Sequence, residues 1–206
     1  MENDKLARRH RHFSFSIVHS PFSIHSDKFQ FIERTEQLQT MIETERLILR
    51  PLTVDDAADA FEWQSDPEVN RYMVYPLYTD VAKTREWIGS LRPDEGEFGF
   101  QLKATGKVIG AGGVKYVEAE DAWELGYNLN REYWGRGYCT EASKALLQWA
   151  YEVHGARDFI ACHATANAAS GNVLRKCGFQ FVKYGQYSRY DGSETFEASF
   201  YRMKMK

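Results

Sequence analysis

Between a stretch with strand periodicity, Ala122 to Leu129, and one with helical periodicity, Thr140 to about Val153, the chain carries Trp134-Gly135-Arg136-Gly137-Tyr138-Cys139. Strand, glycines, helix is the layout of an anion site. Glycine lets backbone amides approach an anion closely, and the N–H groups of the first helical turn lack intrahelical acceptors and face it. Two familiar phosphate loops fail on residues. The Gly-Lys-Ser/Thr of a P-loop is absent. The third glycine of a dinucleotide fingerprint is replaced by Thr140. A plain turn that needs glycine geometry is the competing reading.

The rest of the chain from Ile42 to Lys206 is patterned around this loop. Glu45 to Leu52 reads as a strand with Leu47 and Leu49 on one face, ended by Pro51. Thr53-Val54-Asp55-Asp56 starts a helix, with Thr53 as cap and the acids at the positive end of the dipole. Val54, Ala57, Ala58 and Phe61 line its inner face, and Asp66-Pro67 closes it. A second helix begins near Thr79, with Val81, Thr84, Trp87, Ile88 and Leu91 inward. Phe98, Phe100 and Leu102 alternate as a strand, and Val108 to Tyr116 returns from the turn at 104–107 as its hairpin partner. His154-Gly155 ends the long helix. Phe159 to Ala164 is a strand, Asn167 to Cys177 a short helix stopped by Gly178. Phe179 to Tyr187 and Phe196 to Met205 are strands joined across Asp191-Gly192. The predicted order is β-α-α-β-β-β-α-β-α-β-β.

Length and composition narrow the class. A chain of 206 residues suits one domain with an extra segment, and 43% apolar with 27% charged residues fits a soluble globular protein. A net charge of −3 calls for neither nucleic acid nor an anionic membrane as partner. No apolar run reaches the ~18 residues of a membrane-spanning helix. Cys139, Cys162 and Cys177 are odd in number and lack C-x-x-C spacing, which argues against a disulfide framework or structural zinc and for a reduced, cytoplasmic setting. Residues 1–40 are loosely patterned and hold four of the six histidines. His10 and His12 have the spacing of a metal-ligand pair but no carboxylate beside them. This segment reads as a mobile extension before a domain spanning residues 41–206.

Tyr-Trp-Gly-Arg-Gly-Tyr-Cys-Thr-Glu-Ala at 133–142 resembles the acetyl-CoA pyrophosphate loop of the GNAT superfamily of N-acetyltransferases. It is most similar to the RimJ/RimL-type branch, the ribosomal-protein N-terminal acetyltransferases and their relatives. Asn167-Ala-Ala-Ser170 with Leu174-Arg-Lys-Cys-Gly178-Phe179 resembles that branch's second signature, and Thr44-Glu45-Arg46-Leu47-Ile48-Leu49-Arg50 its first strand. The resemblance implies an α/β (α+β) GNAT fold: a central mixed, mostly antiparallel twisted sheet of about seven strands flanked by about four helices. It implies acetyl-CoA as co-substrate, no metal, and acetyl transfer to an amine, either a protein N-terminus or a small molecule. The alternative is a non-catalytic acyl-CoA sensor or partner-binding domain. Small members are often homodimers.

Acetyl transfer from a thioester to an amine needs a base, because amines are protonated at pH 7. It also needs donors to polarise the carbonyl and an acid for the departing thiolate. By resemblance, Glu124 stands where a strand glutamate serves as base, the alternative being an exposed strand carboxylate. Many members place a tyrosine acid where this chain has Leu174, so Ser170 is the nearest substitute. Gly135, Arg136, Gly137, Tyr138, Cys139 and Thr140 match the phosphate loop, with Cys139 read as a small buried residue rather than an acetyl carrier. The edge at Tyr127, Asn128 and Leu129 resembles the site that pairs with the pantetheine arm, and the Asn167 amide suits that arm's amides. His163 reads as a hydrogen-bonded core histidine rather than a substrate contact. Arg71, Tyr72 and Tyr75 fall where acceptor loops lie.

Overall fold

The structure, a computed structural model, describes residues 41–92 and 96–206. The expectations for residues 1–40, including the His10/His12 pair, lie outside the described residues. Among these residues a single sheet of eight strands runs in the order β1-β2-β3-β4-β5-β6-β8-β7. The strands are β1 (Ile42–Glu43), β2 (Leu47–Arg50), β3 (Glu97–Leu102), β4 (Val108–Val117), β5 (Ala122–Leu129), β6 (Asp158–Ala164), β7 (Gln180–Ser188) and β8 (Thr195–Lys204). Only β5 and β6 are parallel; every other neighbouring pair is antiparallel. The helices are α1 (Ala57–Gln64), α2 (Pro67–Asn70), α3 (Val81–Ser90), α4 (Tyr138–His154) and α5 (Ala168–Lys176).

The α4 face of the sheet holds the larger core. Leu47, Leu49, Phe100, Ile109, Leu125 and Phe159 pack there against Ala142, Leu146, Leu147 and Ala150 of α4. Fully burying one such leucine or phenylalanine is worth roughly 1.5–3 kcal/mol. Gly155, at φ 65°, closes α4 in the left-handed turn that glycine adopts without strain. On the opposite face α1 and α3 cover Leu52, Val108 and Ala111. The buried Thr84 hydroxyl donates to Gln64 Oε1 at 2.7 Å and ties these two helices together.

The fold matches the expected class, with differences that have local causes. Val54 and Ala58 are exposed, and α1 buries Ala57, Ala60, Trp63 and Gln64 instead. Val54–Asp56 forms a 3-10 turn before α1. Its tighter winding rotates the face that a continuous α-helix from Thr53 would have buried. Asp66-Pro67 ends one helix and starts another: the Asp66 carboxylate accepts from the Glu68 N–H at 2.9 Å, with Pro67 in the first turn of α2. Val81 is 36% exposed, at the first position of α3. The extra strand, β1, is two residues long and pairs Ile42 with Leu49, too short for alternation to reveal.

Candidate active site

The site begins with a parting of strands. β5 pairs with β4 along its whole length, from Ala122 to Leu129. With β6 it pairs only at Trp123↔Phe159 and Glu124↔Ile160. The carbonyls of Gly126 and Asn128 point toward β4, where side chains on Gly112 and Gly110 would meet them at 2.6 and 2.5 Å. Strand alternation then turns the N–H and C=O groups of Tyr127 and Leu129 the other way, into the gap. That gap is a cavity of about 660 Å³.

The glycine loop closes one end of it. Gly135 and Gly137 have φ of 73° and 84°, values that cost other residues about 1–2 kcal/mol. A Cβ on Gly135 would meet nothing within 4 Å, so a ligand can approach the backbone there. The Trp134 indole N–H donates to Leu129 O at 2.7 Å and fastens the loop to the end of β5. Arg46 fastens it from below: Nη1 donates to Arg136 O at 2.9 Å, and Nε to Glu141 at 2.7 Å. Residues Arg136, Tyr138, Cys139 and Thr140 thus sit between two fixed points, at the N-terminus of α4. The left-handed glycines, the helix end and the strand edge at Tyr127 together fit a ligand with a diphosphate and an amide-bearing arm.

Glu124 faces the cavity, half-buried, on the last residue of β5 that still pairs with β6. No ion pair or hydrogen bond reaches its carboxylate among the described residues. Burial, with Glu120 adding, pushes its pKa up to about 7. Ser170, in the first turn of α5, shares a hydrogen bond of 3.0 Å with the Tyr127 hydroxyl, which also lies 3.1 Å from Ser170 O. Burial, with Cys139 nearby, holds that phenol protonated well above its usual range. Leu174 is buried in the core one helical turn further on. The Tyr127 hydroxyl stands across the cavity from it, against Ser170.

The remaining predicted residues divide. Asn167 caps α5, its Oδ1 accepting from the Ser170 N–H at 3.2 Å, which leaves its amide N–H groups for the cavity. Asn128 turns its side chain away from the strand gap. Its Oδ1 accepts from the Ala111 N–H at 3.1 Å, and its Nδ2 donates to the Tyr75 hydroxyl at 3.0 Å. Burial raises the Cys139 thiol far above the range of a nucleophile. His163 is 8% exposed and sits between Ala164 O at 2.7 Å and the Tyr201 hydroxyl at 3.4 Å. Arg71 and Tyr72 line the cavity. Among the described residues no group of three His, Cys, Asp or Glu side chains could hold a metal ion. Sequence reasoning missed Arg46, Glu141 and Arg189. The first two stood in the quoted motifs with opposite charges, which was the available signal.

The acetyltransferase (GNAT) domain family matches residues 46–180. The uncharacterized N-acetyltransferase p20 of Bacillus licheniformis is 33% identical over 143 residues, 66% of this chain and 80% of that protein. The structure of a GNAT-family acetyltransferase from Bacillus anthracis superposes with a TM-score of 0.72 at 23% identity, covering 80% of this chain and 98% of that one. RimL, a ribosomal L7/L12 alpha-N-protein acetyltransferase solved with coenzyme A, superposes at 0.68 with 18% identity, covering 80% and 98%.

Proposed function

Since the chain belongs to the acetyltransferase (GNAT) domain family and is an N-acetyltransferase, we propose that it moves acetyl from acetyl-CoA to an amine by direct attack. We place it in the RimJ/RimL-type branch on its three motifs. The observation that carries this reading is the parting of β5 from β6 beyond Glu124, immediately before the glycine loop and the end of α4. The Tyr127 and Leu129 edge suits the amides of a pantetheine arm, and the loop with the helix end suits a pyrophosphate. The acetyltransferase unit runs from residue 41, with residues 1–40 dispensable for acetyl-CoA binding.

When bound, acetyl-CoA supplies the acetyl thioester. Glu124 takes a proton from the acceptor's ammonium group, a task matched to a carboxylate that titrates near pH 7. The freed nitrogen bonds to the carbonyl carbon, the C–S bond breaks with its electron pair going to sulfur, and nitrogen gives up its second proton to solvent, which reprotonates the Tyr127–Ser170 pair. The Tyr127–Ser170 hydroxyl pair provides the proton that sulfur takes up.

Thermal melts with acetyl-CoA, followed by CoA release with a mixed panel of amines and peptides, test the reading. Support is a raised melting temperature together with amine-dependent CoA release. No shift at millimolar acetyl-CoA, with the protein folded, overturns cofactor binding. A shift without turnover of any acceptor overturns the transfer reaction.

A further inference from the structure

Resting on that reading, we propose that the acceptor half of the cavity takes a compact primary amine on an uncharged aromatic or branched aliphatic body, in preference to a peptide N-terminus. The segment after α2, residues 71–75, lines the cavity that holds Glu124 through Arg71, Tyr72, Met73 and Val74. All five of its carbonyls are engaged by the end of β7 and the turn after it. Arg71 O accepts from Arg189 Nη2 at 3.2 Å, and Met73 O and Tyr75 O accept from Arg189 Nη1 at 2.9 and 3.1 Å. Tyr72 O accepts from the Tyr187 hydroxyl at 2.7 Å, and Val74 O from the Tyr190 N–H at 2.8 Å. A peptide docks on an exposed backbone by trading main-chain hydrogen bonds. This backbone has committed its acceptors to the end of β7 and the turn after it, and a peptide amide buried against it would go unpaired.

What the wall offers is side chains. Val69, Tyr72, Met73, Val74 and Tyr187 face the cavity, and none carries charge. At the mouth Glu68 and Arg71 lie 3.9 Å apart and are both more than half exposed. Arg189 spends its charge on the carbonyls and on Glu194 at 3.1 Å. No ion pair reaches Glu124 among the described residues, and the acceptor's ammonium takes that place. Tyrosine faces beside a carboxylate favour such a cation, while the apolar wall favours an apolar body. One ammonium proton passes to Glu124, nitrogen bonds to the acetyl carbon and gives its second proton to solvent, and the C–S electron pair leaves with the CoA sulfur, which takes its proton from the Tyr127–Ser170 pair.

The test measures kcat/KM at saturating acetyl-CoA on the full chain. The panel is 2-phenylethylamine and 3-methylbutylamine against spermidine, glucosamine and peptides beginning with Ser or Ala. The first two exceed the rest by about tenfold or more. Equal or faster turnover of a peptide, spermidine or glucosamine overturns the proposal, and so does failure to turn over either apolar amine while acetyl-CoA still raises the melting temperature. Loss of that melting shift overturns the cofactor reading beneath it. Arg189→Ala frees three carbonyls. It raises the KM for 2-phenylethylamine about tenfold with the acetyl-CoA shift retained, and Arg189→Lys recovers part of the loss. An unchanged KM in a folded Arg189→Ala protein overturns the wall's role. The substrate panel decides the acceptor class even where that variant does not fold.

Discussion

Arg46 and Glu141, 95 residues apart in the chain, meet through three contacts. The Arg46 backbone N–H donates to Oε1 at 2.8 Å, and Nε and Nη2 each reach Oε2 at 2.7 Å. The Thr44 hydroxyl adds a fourth bond at 2.6 Å. An acidic residue in the first turn of α4 would repel a phosphate; here its charge is neutralised from the start of β2. The same guanidinium holds the Arg136 carbonyl, so one side chain sets both the charge and the shape of the loop.

Arg46→Ala is expected to cost about 1–2 kcal/mol of stability, a value reduced by the partial exposure of the pair. It should weaken acetyl-CoA about tenfold, which is ~1.4 kcal/mol. Arg46→Lys should fall between, since an ammonium cannot span both partners. Melts and acetyl-CoA titrations read the two effects; unchanged affinity in Arg46→Ala would refute the link between this pair and the loop. Burial alone would raise the Glu141 pKa, but the Thr44 and Arg46 bonds outweigh it and hold it low. This contribution to stability is therefore present above the ordinary glutamate value of about 4.3 and is lost as pH falls through the lowered folded value.

Glu124→Gln should retain acetyl-CoA binding and lose about 10²–10⁴ in turnover number. The loss should shrink at high pH, where more of the amine is already neutral. In the wild type, turnover should rise with pH through about 7. The stability effect has the opposite sign. With its folded pKa raised, Glu124 favours the fold below its unfolded pKa and loses that contribution as pH rises through about 7. Glu124→Gln should therefore melt higher than wild type at pH 8 and nearly level with it at pH 4. Near-wild-type turnover at pH 7 would rule out the base.

Tyr127→Phe and Ser170→Ala should each lower kcat by about tenfold or more with acetyl-CoA affinity kept, and the double variant should lose little beyond the worse single one. Groups that act as a unit show this non-additivity. Fully additive losses would mean that the 3.0 Å hydroxyl contact is not a shared proton source.

Gly137→Val should abolish the acetyl-CoA melting shift. The residue sits at φ 84°, so a β-branched side chain must strain or flip the backbone proposed to face the phosphates. Gly192→Val is the matched control: it is also left-handed, at φ 71°, but lies in the turn between β7 and β8, and it should keep the shift. Equal effects of the two would assign the loss to backbone strain in general.

Much of the fold could be read along the chain, because burial repeats with a period of two or near 3.6 wherever an element is long. Leu47 and Leu49 of β2 and Ala142, Leu146 and Ala150 of α4 are buried as their spacing implies. The reading slipped at short elements and at junctions. The 3-10 turn at Val54–Asp56 shifted the buried face of α1, and four-residue α2 was taken for an ending. Within the site, residues that belong to one local motif were legible, notably the Gly135–Thr140 loop.

The sequence by itself determined the order of the longer elements, the glycine loop at the mouth of a helix, and the presence of an acidic strand residue before it. Those features depend on neighbours a few residues away. Tertiary structure alone decided where β5 leaves β6, that Tyr127 meets Ser170 across 43 residues, and that Arg189 binds a segment more than 110 residues earlier. Each of these rests on the pairing of distant strands, and on β8 inserting between β6 and β7. A contact between distant residues leaves no periodic trace in the sequence of either partner. Its geometry follows from the sheet as a whole.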